Sequence, residues 1–254
     1  MIELKQIFLQ IKSFEVDKKE LLFEDLGIIE YGEAWNYQEK LLQHNVGLKT
    51  EARNSGENVL AKNVKTLNHF IICEHPPVFT LGKSGDISHL LINENQLKEK
   101  EIGFYKTNRG GDITFHGPQQ IVGYPILDLE KFTTDIGLYL RNLEEVIIKT
   151  IAEFGIKGER SKGETGVWIE PDTQGKARKI CAIGVRCSRW VTMHGFALNV
   201  NTDLSYFNMI IPCGIQNKQV TSIEKEVGLK VDFEEVKSII KFYFNEIFET
   251  EFIY

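Results

Sequence analysis

A chain of 254 residues with 42% hydrophobic and 11% aromatic residues holds enough apolar material for a substantial core, and its mere 6 prolines argue against a disordered chain. The net charge of −6 argues against a general nucleic-acid binder, although residues 157–189 carry eight basic and four acidic side chains, a local +4. Four cysteines, Cys73, Cys181, Cys187 and Cys213, show no CxxC spacing and are too sparse for a disulfide scaffold, so reduced thiols are expected.

The first 22 residues interrupt their apolar positions with Lys, Gln and acidic residues, which fits neither a signal peptide nor a membrane span. The cytoplasm is therefore the expected compartment, and residues 1–28 are expected to be an N-terminal extension packed on the main body. From Tyr31 to Asn45, Trp35, Gln38, Leu41 and Leu42 share one helical face and Gly47 follows, which predicts a short amphipathic helix. The polar stretch 46–66 reads as a loop insertion. Two strand-like runs, HFIICE and VFTLG, flank Pro76 and Pro77 and predict a hairpin-like start to a sheet. Between Gly103 and Leu129 strand-like runs alternate with turns, at Arg109-Gly110-Gly111 and at His116-Gly117-Pro118.

Thr134 or Asp135 can cap a long helix in which Leu140, Leu143, Ile147, Ile151 and Phe154 recur at threes and fours as far as Gly155. Three more strands follow, GVWIE, KICAIGVRCS and VTMHGFALNVN. The polar PDTQGKAR link between the first two fits a hairpin better than a crossover helix, so this part of the sheet is expected to be antiparallel. Asp232 and Glu235 open a final amphipathic helix on Val236, Ile240, Tyr243 and Ile247. With no linker to divide it, the chain is expected to be one domain, 1–254, of α+β class, with mixed, largely antiparallel sheets flanked by helices.

Few residues suggest chemistry by themselves. Cys213 lies between Pro212 and Gly214 after an apolar run, a turn where amides or a nearby cation can stabilise a thiolate; the common alternative for a lone cysteine is a buried apolar group. Cys73, Cys181 and Cys187 sit inside strand patterns and read as packing groups. A metal site of Cys181, Cys187, His194 and Cys213 matches no common zinc spacing. His75, His116 and His194 each adjoin Pro or Gly at a strand edge, where they can line a cleft or serve as hydrogen-bonded structural histidines. The Arg109-Gly110-Gly111 turn offers amides and a guanidinium suited to a carboxylate, phosphate or oxyanion, or is a plain β-turn. Periodicity does not tie Lys179 to Cys213, 34 residues further on.

Taken together, RGGDITFHGP from Arg109, YPILDL from Tyr124, KICAIG from Lys179, HGFALNVN from His194 and PCG from Pro212 resemble the lipoyl(octanoyl) transferase family in order and spacing. EHPPVFTLG from Glu74 and YGEAWNYQE from Tyr31 extend the likeness over about residues 31–223. The resemblance implies a fold similar to that of biotin and lipoate protein ligases, in a single catalytic domain. It implies transfer of an octanoyl group from octanoyl-acyl carrier protein to a lysine of lipoyl domains, such as those of 2-oxoacid dehydrogenases and the glycine cleavage H protein. No metal, ATP or other cofactor, and no nucleic-acid or membrane partner, is implied.

By residue, the resemblance makes Cys213 the thioester nucleophile and Lys179 the group that lowers its pKa and moves protons. The substrate cleft would be lined by Arg109, Gly110, Gly111, Asp112, Ile113, Thr114, Phe115 and His116, by Ala182, Ile183 and Gly184, and by Gly195, Phe196 and Ala197. Oxyanion donors are left open between amides near Cys213 and those of Ala182–Gly184. Acidic carrier and lipoyl domains would be steered to Lys176, Arg178, Arg186 or Arg189. One departure is local: the family usually has HGPGQ where this chain has HGPQQ, so that Gln119 stands in place of a glycine. Two rival readings are an ATP-dependent lipoate or biotin protein ligase, which would not need the PCG element, and a catalytically silent binding module, against which Lys179 and Cys213 together argue.

Overall fold

The computed structural model describes residues 18–55, 63–211 and 219–254. Within them the strands in chain order are β1 (Lys19–Ile28), β2 (His69–Glu74), β3 (Val78–Leu81), β4 (Gly103–Lys106), β5 (Ile113–His116), β6 (Gln120–Ile126), β7 (Val167–Ile169), β8 (Arg178–Ser188), β9 (Val191–Asn199), β10 (Gln219–Val220) and β11 (Thr250–Ile253). The helices are α1 (Tyr31–Asn54), α2 (Glu94–Glu99), α3 (Ile136–Ala152), α4 (Ile223–Val227) and α5 (Phe233–Phe248). The larger sheet runs β10-β8-β9-β6-β2-β1-β11, with β7 also paired to β8, and the smaller runs β4-β3-β5. This is the mixed α+β arrangement that the patterning predicts.

The period-two alternation of strand side chains divides the large sheet's residues between two cores. On β2, Phe70 and Ile72 join the cluster formed with α3 and α5, whereas Ile71 and Cys73 join the cluster under α1. On β9, Phe196 and Leu198 take the first side, and Met193 and Ala197 the second. Phe244 of α5 stacks on Phe70 at 4.2 Å between ring centroids, and burying an aromatic of this size contributes about 2–3 kcal/mol. Both predicted helix starts are capped: the Asp135 carboxylate accepts from the Leu138 amide at 3.0 Å, and Asp232 from the amides of Glu234 and Glu235. The strands β7, β8 and β9 pair antiparallel as expected.

Three expectations are corrected. Residues 46–54, read as loop, extend α1 to Asn54. Beyond Val46 those turns present no apolar stripe and are tied down by polar contacts, chiefly Lys49 Nζ to Asp128 Oδ1 at 2.5 Å and to Glu130 Oε2 at 2.7 Å. Residues 56–62 of the same stretch lie outside the described residues. The runs either side of Pro76 and Pro77 do not form a hairpin, because β2 pairs with β1 and β6 while β3 pairs with β4 and β5. Two prolines in succession supply no ladder donors, and the chain passes from one sheet to the other there. Of the N-terminal extension, residues 19–28 are a full sheet member, β1, which pairs parallel with β2 and with β11. Among the described residues no helix is long and apolar enough to cross a membrane.

Candidate functional site

A cavity of about 620 Å³ lies where the two sheets meet. Its walls come from β5, β6, β8 and β9, with Tyr31 of α1, Ile136 and Leu140 of α3, Phe207 and Val220 closing the sides. Every described residue that the family resemblance assigns to the cleft lines this cavity except Phe115. Phe115 is instead buried in the core of the small sheet, its ring stacked 4.4 Å from Tyr206 and tilted against Phe79 at 5.7 Å.

The Arg109-Gly110-Gly111 turn is wedged between the loop after β3 and strand β8. Lys83 and Ser84 amides donate to the carbonyls of Arg109 and Gly111, and the Gly110 amide donates to Val185 O at 3.0 Å. A Cβ on Gly184 would lie 2.8 Å from Gly110 O, so only glycine lets β8 approach the turn this closely. The Arg109 guanidinium is buried and donates to Gly110 O, Thr80 O and Thr80 Oγ1. The Gly110 amide, one of the donors that the sequence reading offers to an anion, is thus occupied within the protein.

Behind the turn lies a polar cluster in fixed protonation states. Gln120 Nε2 donates to Phe115 O and to Asn199 Oδ1 at 2.8 Å, so its Oε1 accepts from His116 Nδ1–H at 2.8 Å. His116 Nε2 is then left to accept from Thr80 Oγ1. Burial, aided by His75 and Arg109, holds the His116 pKa well below that of a free imidazole. His75 Nδ1–H donates to Ile29 O at 2.7 Å and Nε2 accepts from the Tyr124 hydroxyl at 2.7 Å, with burial pulling its pKa to about 4. Tyr31 stacks against His116 at 5.9 Å, and burial pushes its phenol up to about 12. At neutral pH these groups are uncharged beside the buried Arg109 guanidinium.

His194 is strained as well as buried. Its φ of +57° lies in the left-handed region inside strand β9, a conformation that costs about 1–3 kcal/mol and recurs at functional sites. It is held by its backbone amide on Gln38 Oε1 at 2.9 Å and by Nε2–H on Asn108 Oδ1 at 2.8 Å, while burial pulls its pKa to about 3. Among the described residues its Nδ1 has no hydrogen-bond partner.

Lys179 lies at the opposite end of the β8 wall. Its Nζ sits 4.6 Å from the centroid of the buried Trp168 ring, which faces it across the β7–β8 register. Gly166, at φ +120°, passes beside it: a Cβ there would lie 3.6 Å from Lys179 Cε and 2.6 Å from Cys181 O. The Gly166 amide donates to Glu144 Oε1 at 3.0 Å, and the fully buried Glu144 carboxylate also meets Arg141 at 2.7 Å and Arg160 at 3.0 Å. Cys213, like Pro212 and Gly214, lies outside the described residues, but the chain on both sides of residues 212–218 is anchored. Ile210 bridges to Leu90 and the Ile211 amide donates to His89 O at 2.8 Å; afterwards Gln219 and Val220 pair with Arg178 and Lys179, and the Thr221 amide donates to Lys179 O at 2.9 Å.

The other thiols stand apart from this arrangement. Cys73 and Cys181 are buried, with their pKa pushed up by burial, and Cys187 is exposed near the β8–β9 turn. The proposed docking cations are largely matched within the protein: Arg178 grips Glu226 and Glu170 at 2.6 Å, Lys176 reaches Glu170 at 3.8 Å, and Arg186 pairs with Glu39 at 2.7 Å. Their local excess of positive charge is therefore smaller at the surface than the sequence count implies. Residue type alone does not mark Tyr31, Thr80, Gln120 or Asn199 as site residues. The available signal is that Gln120, Asn199 and Thr80 are polar residues inside otherwise apolar strand runs.

Residues 30–245 match the lipoyl protein ligase A/B catalytic domain family. An octanoyltransferase of Christiangramia forsetii is 56% identical over 237 residues, 93% of this chain and 99% of that one. Another, of Flavobacterium johnsoniae, is 56% identical over 236 residues, covering 92% and 99% respectively. Among solved structures, the bi-partite lipoate protein ligase of Thermoplasma acidophilum superposes with a TM-score of 0.61 at 15% identity, over 93% of this chain and 85% of that one, a likeness of fold.

Proposed function

Since the chain belongs to the lipoyl protein ligase A/B catalytic family and is an acyltransferase that moves octanoyl groups, we propose that it does so through a thioester on Cys213, with Lys179 as its proton carrier. The donor in this reading is octanoyl-acyl carrier protein, and the acceptors are lysines of lipoyl domains, including those of 2-oxoacid dehydrogenases and the glycine cleavage H protein. The observation that carries it is the pairing of Val220 with Lys179 on the cavity wall. The chain is anchored at Ile211 just before residues 212–218, and just after them Gln219 and Val220 pair with Arg178 and Lys179.

The steps balance without an added reagent. A Cys213 thiolate paired with the Lys179 ammonium attacks the donor's thioester carbonyl; the bond to the carrier's sulfur breaks, and that sulfur leaves with the ammonium proton. The neutral Lys179 amine then takes a proton from the acceptor lysine as it attacks the Cys213 thioester, and Cys213 departs as the thiolate. The starting pair is restored. The cavity suits the remaining demand, since Ile183, Val185, Phe196 and Ala197 offer an octanoyl chain an apolar wall.

The test is intact mass spectrometry after mixing the protein with octanoyl-acyl carrier protein alone. A single hydroxylamine-labile octanoyl adduct is expected, and it should vanish in Cys213→Ala and discharge on addition of a lipoyl domain. Absence of the adduct in the unaltered protein, or its survival in Cys213→Ala, overturns the thioester reading.

A further inference from the structure

We infer that Trp168 is a positioning residue for transfer: its indole face holds the Lys179 ammonium at the end of the acyl cavity. The inference rests on the proton-carrier reading of Lys179. It starts from geometry. A lysine has four rotatable side-chain bonds and, at a strand start, ordinarily extends into water. Here Nζ is instead 4.6 Å from the centroid of an indole that is 2% exposed, inside the range where the ring quadrupole attracts a cation.

The ring itself has little freedom. Trp168 is the central residue of β7, its backbone is paired with Lys179 of β8, and on the other side its amide and carbonyl both bond to Glu159. The neighbouring Gly166, which only glycine's lack of a Cβ lets pass so close to Cys181 O, runs beside the lysine stem, and the Glu144 carboxylate accepts from the Gly166 amide. Ring, glycine and strand therefore flank the side chain of Lys179, which also lines the cavity. The indole face distinguishes the two states that the proton carrier passes through, since it attracts the ammonium and not the neutral amine. It keeps the charge where a thiolate is to form, and its hold loosens once the proton has left with the donor's sulfur.

An aliphatic core residue would fill this volume equally well, so the claim is separable from packing. The experiment replaces Trp168 site-specifically with mono-, di- and trifluorotryptophan, which withdraw electron density from the ring face with almost no change in size, and includes Trp168→Leu as the limit. With octanoyl-acyl carrier protein and a lipoyl domain as substrates, kcat should fall stepwise with each fluorine while KM for both substrates stays constant. The Leu variant should lose roughly 3- to 30-fold in kcat. A kcat flat within twofold across the fluorinated series, or a loss confined to KM, overturns the inference; because that series keeps the core intact, a Leu variant that misfolds does not rescue it. Intact mass of the octanoyl adduct separates the two claims. An adduct present with a flat fluorine series removes only the role of Trp168, whereas no adduct in the unaltered protein removes both.

Discussion

Replacing His75 with Gln should flatten the acid side of the stability profile. His75 is neutral in the fold, with its pKa pulled by burial from 6.5 to about 4, and its two ring nitrogens are engaged by Ile29 O and the Tyr124 hydroxyl. Between those two values the unfolded chain binds a proton that the folded one refuses, so stability falls as pH drops through 6.5 and the loss saturates near 4. At pH 5 the acidification from 6.5 amounts to about 1.5 pH units at about 1.36 kcal/mol each, or about 2 kcal/mol lost relative to neutral pH. His75→Gln removes the titrating group. It should be less stable at pH 7 by about 1–2 kcal/mol from the altered hydrogen bonds, yet its drop between pH 7 and pH 5 should be smaller than that of the unaltered protein by about 2 kcal/mol. Urea denaturation at 25 °C at both pH values measures the two drops, and contributions from carboxylates common to both proteins cancel in the comparison. Equal drops within about 0.5 kcal/mol would refute the assignment of a buried, neutral His75.

Two further substitutions test the framework around the cavity. Gln119 has φ +62°, donates its amide to Glu74 and receives Asn201 Nδ2 on its side-chain carbonyl at 2.9 Å. Gln119→Gly should therefore change stability by less than about 1 kcal/mol, the relief of strain offsetting the lost hydrogen bond, while the β-branched Gln119→Val should cost about 2 kcal/mol; denaturant melts in which both cost the same would contradict it. Glu144→Ala strips the Gly166 amide and two arginines of their shared carboxylate. Because both arginines are partly exposed, the expected loss is about 2–3 kcal/mol rather than the full penalty of a buried pair, accompanied by a lower kcat, and a loss under about 0.5 kcal/mol would contradict the bracing role of this carboxylate.

Features specified within a few residues were legible in the chain. Asp135 and Asp232 cap α3 and α5, and the alternation along β8 and β9 is that of paired strands, because caps and alternation depend on near neighbours. What escaped depends on distant partners. The last turns of α1 carry no apolar stripe to reveal them and are tied to Asp128 by Lys49. The parting of β2 and β3 into different sheets is decided by the strands each finds to pair with, not by the two prolines between them. At the site, the glycine that the family resemblance favours at position 119 gains a physical reason from the left-handed backbone there, which Gln119 adopts nonetheless. In the sequence Trp168 is one apolar residue of the strand-like run GVWIE, and only the register β7 makes with β8 turns it toward Lys179.

The pairing of β1 with β11 sets the order in which the molecule can be assembled. Lys19 sits opposite Thr250, more than two hundred residues away along the chain, and β1 also supplies the edge on which β2 lies. During synthesis β1 emerges early and must wait with one edge bare until β11 is made, while β8 and β9, joined by a two-residue turn, can zip at once. Folding on the ribosome would then proceed from the cavity outward, and the last event would be closure of the outer edge rather than completion of the active centre. A nascent chain halted before residue 250 exposes its vulnerable strand at β1, which is where aggregation or chaperone capture would begin.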